Sequence, residues 1–252
     1  MRIEGSVALV TGGNRGIGEA LVRALLAAGA AKVYVGTREM DAAVHLAEEA
    51  PGRVICVQLD VTDQAHVARV AAECSDTSIL INNAGAFFNQ RLMGASNLDA
   101  ARAEMEINYF APLAMARAFA PILAGNGGGA IVNVLSSGGL VAVPAMGGYS
   151  PSKFAGRAAT TCIRAELAEQ KTQVIALIVG SVDTRMAAHV AGYKEPPAAI
   201  AKAGLDAIRK GLDEVDTDRM AIEVRASLAR DPKALERSLA RMLQATQIST
   251  GR

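Results

Sequence analysis

Short apolar runs alternate along this chain with longer segments in which apolar residues return at helical spacing. The run "SVALVT" (6–11) ends in glycines, and "IGEALVRALLAAG" (17–29) then places Ile17, Leu21, Leu25 and Ala28 along one helical face before Gly29 closes it. The unit recurs as "KVYVGT" with a helix near 41–50, "RVICVQL" with a helix near 63–74, and "SILIN" with a long helix over 98–124. It recurs again as "AIVNVL" with a helix near 149–169 and "TQVIALIV" with a helix near 196–210. Strands that are apolar on both faces, separated by amphipathic helices, predict a parallel sheet covered on both sides, a doubly wound α/β fold. No linker divides the 252 residues, so the chain reads as a single domain: a core over 1–186, a loop and helix over 187–211, and a C-terminal region over 212–252.

Charge narrows the partners. With 26 basic and 25 acidic residues there is no net field to attract nucleic acid or an anionic membrane surface. Although 51% of residues are hydrophobic, the long apolar stretches look broken by charge or glycine before the ~20 residues of a membrane span, which assigns the surplus to a buried sheet. The start "MRIEGSVALVTGG" carries Glu4 and enters a strand directly, unlike a secretory leader, so a cytoplasmic protein is expected. Cys56, Cys74 and Cys162 are odd in number and far apart, and are expected as buried small hydrophobes. His45, His66 and His189 have no ligand spacing, and no metal is expected.

In a doubly wound sheet ligands sit beyond the carboxyl ends of the strands, so chemistry is sought just after each apolar run. After the first comes "TGGNRGIG" (11–18), where Gly12, Gly16 and Gly18 permit a tight turn and close approach of a pyrophosphate to a helix amino terminus. Asn14, Arg15 and Ile17 complete this loop, and a dinucleotide is its natural occupant. The second run ends "VGTRE": Thr37 stands where an NAD-binding carboxylate is expected, and Arg38, with Arg15, could hold a 2′-phosphate. NADP(H) is therefore favoured over NAD(H), the alternative being a surface Arg38 paired with Glu39 or Asp41. Asp60, followed by Val61, ends the third run, to contact adenine or to cap the next helix. The fourth run leads into "NNAG" (82–85), with Asn83, Ala84 and Gly85 on the cofactor side.

Further on stand Asn108 in "EINYFAP", Ser136 after the fifth run, and "YSPSK" (149–153). Tyr149 and Lys153 are one helical turn apart on one face, so an ammonium can lie near a phenol and lower its pKa from about 10. These motifs, in this order and with Ser136 lying 13 residues before Tyr149, resemble the short-chain dehydrogenase/reductase family over residues 5 to 186. The resemblance implies a Rossmann-type fold in which Tyr149 gives a proton to a carbonyl oxygen and Ser136 hydrogen-bonds that oxygen. It also implies that Lys153 holds the nicotinamide ribose with Tyr149, that Asn108 supports a proton relay, and that Val182 and Thr184 reach the carboxamide. The expected reaction is hydride transfer between NADPH and an apolar ketone, aldehyde or secondary alcohol, in a pocket lined by Phe87, Phe88, Leu140, Val141, Val143, Pro144, Met146 and Met186. A catalytically silent dinucleotide sensor of the same fold is the alternative, and it would not need Asn108, Ser136, Tyr149 and Lys153.

Three departures from the family pattern stand out. Val179 replaces a proline after the sixth run, leaving that turn less fixed, and Leu135 replaces a serine at a position expected to face the core. Residues 212–252 lack a glycine-rich terminal strand; they read as a short strand or turn near 213–217 and two charged helices split at Asp231–Pro232. Met220, Val224 and Leu228, then Leu235, Leu239 and Leu243, form stripes expected to bury against the substrate side or a neighbouring subunit. A homodimer through the helices near 98–124 and 149–169 is expected over the family's usual tetramer.

Overall fold

Each apolar run becomes a strand, and every neighbouring pair is parallel. In the computed structural model, which describes residues 1–188 and 190–250 (side chains at 145, 242 and 244–250 excepted), the strands are β1 (Val7–Thr11), β2 (Lys32–Thr37), β3 (Val54–Gln58), β4 (Ile79–Asn82), β5 (Gly129–Val134), β6 (Thr172–Ile178) and β7 (Glu214–Asp216). Their order is β3-β2-β1-β4-β5-β6-β7. The chain starts at the centre, winds outward to β3, then restarts beside β1 with β4 and winds the other way. The crevice for a ligand therefore opens between the carboxyl ends of β1 and β4, where Val10 is in register with Ile81. His189 lies outside the described residues.

The period of two along each strand feeds two cores. Ala8, Val10, Ile79 and Ile81 point to one face, under α1 (Gly16–Ala27), α2 (Val44–Glu49) and, further along the chain, the helix Pro197–Lys210, through Leu21, Leu25, Leu46, Ile200 and Ile208. Leu9, Leu80 and Ile131 point to the other, under α3 (Gln64–Glu73) and the helix Ala111–Gly125, through Val67, Val70, Met115, Phe119 and Leu123. Fully burying one such side chain is worth roughly 1.5–3 kcal/mol, and both faces of the central strands are covered, so these strands need no polar side.

The long helix expected over 98–124 is three pieces. α4 (Asp99–Met105) passes into one wide π turn at Glu106–Phe110 and then into α5 (Ala111–Gly125). Pro112 explains the widening, because it has no N–H to return to the carbonyl of Asn108 four residues earlier. By length and composition alone Asp99–Gly125 could cross a membrane, contrary to the expectation that such runs are broken by charge. In this fold its apolar face is part of the core, with Met115, Phe119 and Leu123 fully buried.

α6 (Tyr149–Glu166) and α7 (Pro197–Lys210) follow, and then the C-terminal region adds β7, α8 (Arg219–Arg230) and α9 (Pro232–Thr250). Asp218 caps α8 by accepting the Ala221 N–H at 2.9 Å. This cap sets the phase of the helix, so its buried stripe is Ala221, Val224 and Leu228, packed on Leu135, Leu140 and Ile178, while Met220 is 44% exposed. The expected stripe began one residue early. Leu235 and Leu239 are partly buried on α9, which lies against α8 and the 144–146 turn. Of the cysteines only Cys74 is buried; Cys162 sits on the outer face of α6 and is exposed, correcting the expectation that all three pack inside.

Candidate active site

The floor of the crevice is a knot between the first and fourth strands. Thr11 Oγ1 accepts the N–H groups of Asn83 and Ala84, both at 3.0 Å, and Asn83 Nδ2 returns bonds to the carbonyls of Thr11 at 2.9 Å and Gly12 at 3.0 Å. Gly18 is forced by this knot, since a Cβ there would lie 2.1 Å from the Gly12 carbonyl oxygen and 2.6 Å from Asn83 Nδ2. Arg15 begins α1 without a side-chain cap, so the first N–H groups of the helix stay available to a phosphate. Asn14 and Ile17 are partly buried, with Ile17 resting on the first core, and Thr184 faces the turn, 3.2 Å from where a Cβ on Gly16 would be. Val182 is buried beside it and bridges to Glu195.

At the end of β2, Thr37 is buried and occupied with its own turn, donating to the Glu39 carbonyl at 3.1 Å. Arg15 and Arg38 are exposed, and among the described residues neither forms an ion pair with Glu39, Asp41 or any other carboxylate. Asp60 does not cap the next helix. Its Oδ1 accepts the Thr62 N–H at 3.0 Å and the Thr62 hydroxyl at 2.7 Å, bonds that hold its pKa down with help from Arg38, while Asp63 caps α3. Val61 packs toward the second core.

Ser136, Tyr149 and Lys153 meet beyond β5. Ser136 is buried, accepts the Gly138 N–H at 3.0 Å and lies close enough to the Tyr149 phenol to pull its pKa down. Lys153 is 5% exposed; its Nζ donates to the Val134 carbonyl at 3.0 Å and lies 5.6 Å from the centre of the Tyr149 ring. Gly85 closes the group, since a Cβ there would stand 3.1 Å from Asn108 Oδ1 and 3.6 Å from Lys153 Nζ. The expected electrostatics do not hold for the protein alone. Burial pushes the Tyr149 phenol up, opposed by the Ser136 bond and reinforced by Glu104, and burial pushes Lys153 down to about 8. Loss of water dominates both shifts, and the ammonium is turned to a main-chain carbonyl.

Asn108, 1% exposed, has no side-chain donor left for a relay: Nδ2 donates to the Ala86 carbonyl at 2.9 Å and to Ser152 Oγ at 3.0 Å, and Oδ1 accepts the Ala86 N–H at 2.9 Å. What it can offer is its main-chain carbonyl, which Pro112 leaves without the usual helical donor. A cavity of about 10 Å³, room for one water, is bounded by Asn82, Asn108, Asn133 and Lys153. On the open side the Phe87 ring stands edge-on to Tyr149, centres 5.2 Å apart, and Met146 Sδ comes within 3.6 Å of a Cβ on Gly138. Val141 and Val143 are partly buried, whereas Pro144, Phe88 and Met186 are exposed at the rim. Leu140 is buried in the third cluster with Leu135 and Ala221, so its role is packing.

Two supports were not read from the sequence. Ser150 Oγ donates to the Gly138 carbonyl at 2.8 Å and accepts the Val143 N–H at 3.1 Å, fixing the loop after Ser136 to α6. Asp218 Oδ2 accepts the Gly180 N–H at 2.5 Å, pinning the turn that lacks proline at Val179. A helix-capping aspartate just after a strand was the available signal for the second; nothing in the sequence marked its distant partner.

A glycine turn at the switch point of a doubly wound parallel sheet, with a Ser–Tyr–Lys group beside it, defines a Rossmann-type dinucleotide-binding domain. A family model described as short chain dehydrogenase matches residues 6–194. The chain is 32% identical over 195 residues to dehydrogenase/reductase SDR family member 7B of Mus musculus, covering 73% of this chain and 60% of that protein. It is 32% identical over 192 residues to an oxidoreductase of Mycobacterium tuberculosis named SadH, covering 73% and 69%. The crystal structure of a short chain dehydrogenase from Burkholderia cenocepacia in complex with NADP matches with a TM-score of 0.90 at 44% identity, over 95% of this chain and 99% of that one. This chain belongs to the short-chain dehydrogenase/reductase family. It spans 60% of the length of the mammalian 7B relatives it matches.

The buried Lys153 makes a stability prediction. Its pKa in the folded protein, about 8, lies below the roughly 10.4 of an unfolded lysine, so the unfolded chain binds more protons between these values and the parent gains stability as pH rises through that window. Lys153→Met removes the penalised cation and should stabilise the cofactor-free protein at pH 7 by roughly 1–2 kcal/mol, the Val134 carbonyl losing a donor in partial offset. Thermal melts should show this advantage shrinking by about pH 10. A variant less stable than the parent by the same amount at both pH values would contradict the assignment.

Proposed function

We propose that this protein is an NADPH-dependent carbonyl reductase, equivalently an alcohol dehydrogenase, acting on apolar ketones, aldehydes or secondary alcohols. The observation that carries the reading is the convergence of Ser136, Tyr149 and Lys153 in a water-poor corner beside the dinucleotide turn, with the Phe87 ring against the phenol. The residues fit the cofactor. The open amino terminus of α1 and Arg15 suit a pyrophosphate, Thr37 brings no carboxylate against a 2′-phosphate, and Arg38 offers an exposed guanidinium to meet it. The Burkholderia cenocepacia structure in complex with NADP supports the same choice.

When bound, the cofactor supplies the hydride. The chain itself holds the substrate oxygen between the Ser136 and Tyr149 hydroxyls, and Tyr149 gives its proton to that oxygen. A phenol whose pKa burial raises is protonated at neutral pH, which suits the donor role. Lys153 offers its ammonium to the ribose and, through the approach of that charge, compensates the phenolate left behind. Exposed apolar rim residues Phe88 and Met186 and the Phe87 ring against Tyr149 favour an apolar substrate. Free thiols at Cys56, Cys74 and Cys162 suit the reducing cytoplasm, which cell fractionation would test.

Tyr149→Phe should bind NADPH as the parent does while reduction of a panel of ketones and aldehydes falls by at least about a hundredfold, because only the transferable proton is lost. Retention of most of the parent rate would overturn the mechanism. Arg38→Ala should weaken NADPH binding by about ten- to a hundredfold and leave NADH little changed; equal loss for both cofactors would refute the 2′-phosphate contact. For assembly, we propose a homodimer through α5 and α6, which expose Phe110 at their near end and Phe154. Light scattering at micromolar concentration should give a dimer, and a clean tetramer would refute it.

A further inference from the structure

One buried acid near the reacting corner has no part in the scheme above. Glu104 on α4 is 1% exposed and, among the described residues, has no cationic partner. Its Oε1 accepts the Phe88 N–H at 2.8 Å. Its Oε2 is pressed against Gly148, the residue before Tyr149, so closely that a Cβ on Gly148 would lie 2.8 Å from it and 2.6 Å from Ala101 Cα. One carboxyl therefore touches both the segment that carries Phe87 and the residue just before α6. A leucine would fill this space without the cost of burying an unpaired acid, so space-filling alone does not account for a glutamate here.

We propose that Glu104 is a positioning residue for the reaction: its carboxyl locks the Phe87–Phe88 segment against the start of α6 and, as an anion, inclines Tyr149 to give rather than take a proton. The inference rests on the reading of Tyr149 as the acid. Of the groups on α6, Tyr149 feels the charge of the carboxyl, whereas Lys153, one turn further on, has its Nζ held by the Val134 carbonyl. The Phe88 N–H comes from the segment after β4, and the charged neighbours on its own helical stretch, Arg102 and Glu106, are exposed. Burial raises the pKa of Glu104, against the pull of the Phe88 N–H. When ionised, its charge disfavours the Tyr149 phenolate.

Two variants separate the geometric part from the electrostatic part. Glu104→Gln keeps shape and an acceptor for Phe88 but removes the charge, whereas Glu104→Leu removes both. In each, the tyrosinate absorbance step assigned to Tyr149, by difference from Tyr149→Phe in the cofactor-free protein, should move to lower pH by about one unit. The alkaline limb of the pH–rate profile should move with it. KM for the carbonyl substrate should stay within about twofold in Glu104→Gln and rise roughly fivefold or more in Glu104→Leu, with NADPH affinity unchanged. If Tyr149→Phe is inactive while neither Glu104 variant moves the tyrosinate step, the inference fails and the reading of Tyr149 stands. If Tyr149→Phe stays active, that reading falls and the inference with it.

Discussion

Everything in the site hangs on the bonds that join Thr11 to Asn83. Parallel strands make no turn of their own, so where the winding of the sheet reverses, between β1 and β4, something must hold two chain exits side by side. A threonine hydroxyl that accepts two N–H groups and an asparagine that returns two bonds do this directly. With the exits fixed, the glycine turn has one shape, Gly85 can stand against Asn108 and Lys153, and the π turn at Glu106–Phe110 finds a surface to face.

The second theme is shared dryness. Tyr149, Lys153 and Glu104 lie in one water-poor region, and burial acts on all three in the direction that disfavours charge: the phenol and the carboxyl upward, the ammonium downward. Among the described residues no ion pair relieves it. The protein alone thus carries an electrostatic debt that a bound dinucleotide and substrate, with their own hydroxyls and charges, are suited to reduce, in keeping with sites where function is held at some cost to stability.

The C-terminal region shows a local weakness mended from a distance. Without proline at Val179 the turn after β6 is freer, and Asp218 fixes it by accepting the Gly180 N–H while capping α8. The same aspartate thereby phases α8 so that Ala221 closes the third cluster over Leu135 and Leu140. Arg225 strengthens this edge with bonds to Glu214 and Asp216 on β7, and Arg157 joins it from α6. The atypical helices are thus part of the frame behind the cofactor side of the site.

Periodicity alone determined the strands, the order of helices and the side of the sheet on which ligands gather, because the two-residue and 3.6-residue repeats are local properties that a buried parallel sheet obliges the chain to display. Helical spacing also picked out Tyr149 and Lys153, since one turn brings residues four apart onto one face, whereas Ser136 came from the family resemblance. What it could not give were relations between residues far apart in the chain. That Asn108 spends its amide on Ala86 and Ser152, that Asp218 reaches Gly180, that Leu140 is packing and that Met220 faces outward all depend on how elements dock, which no local repeat records. The sign of the Tyr149 shift belongs to the same class. An i, i+4 lysine argues for a lowered phenol pKa, but docking of α6 on β5 turns the Lys153 ammonium to the Val134 carbonyl, and burial raises the phenol instead.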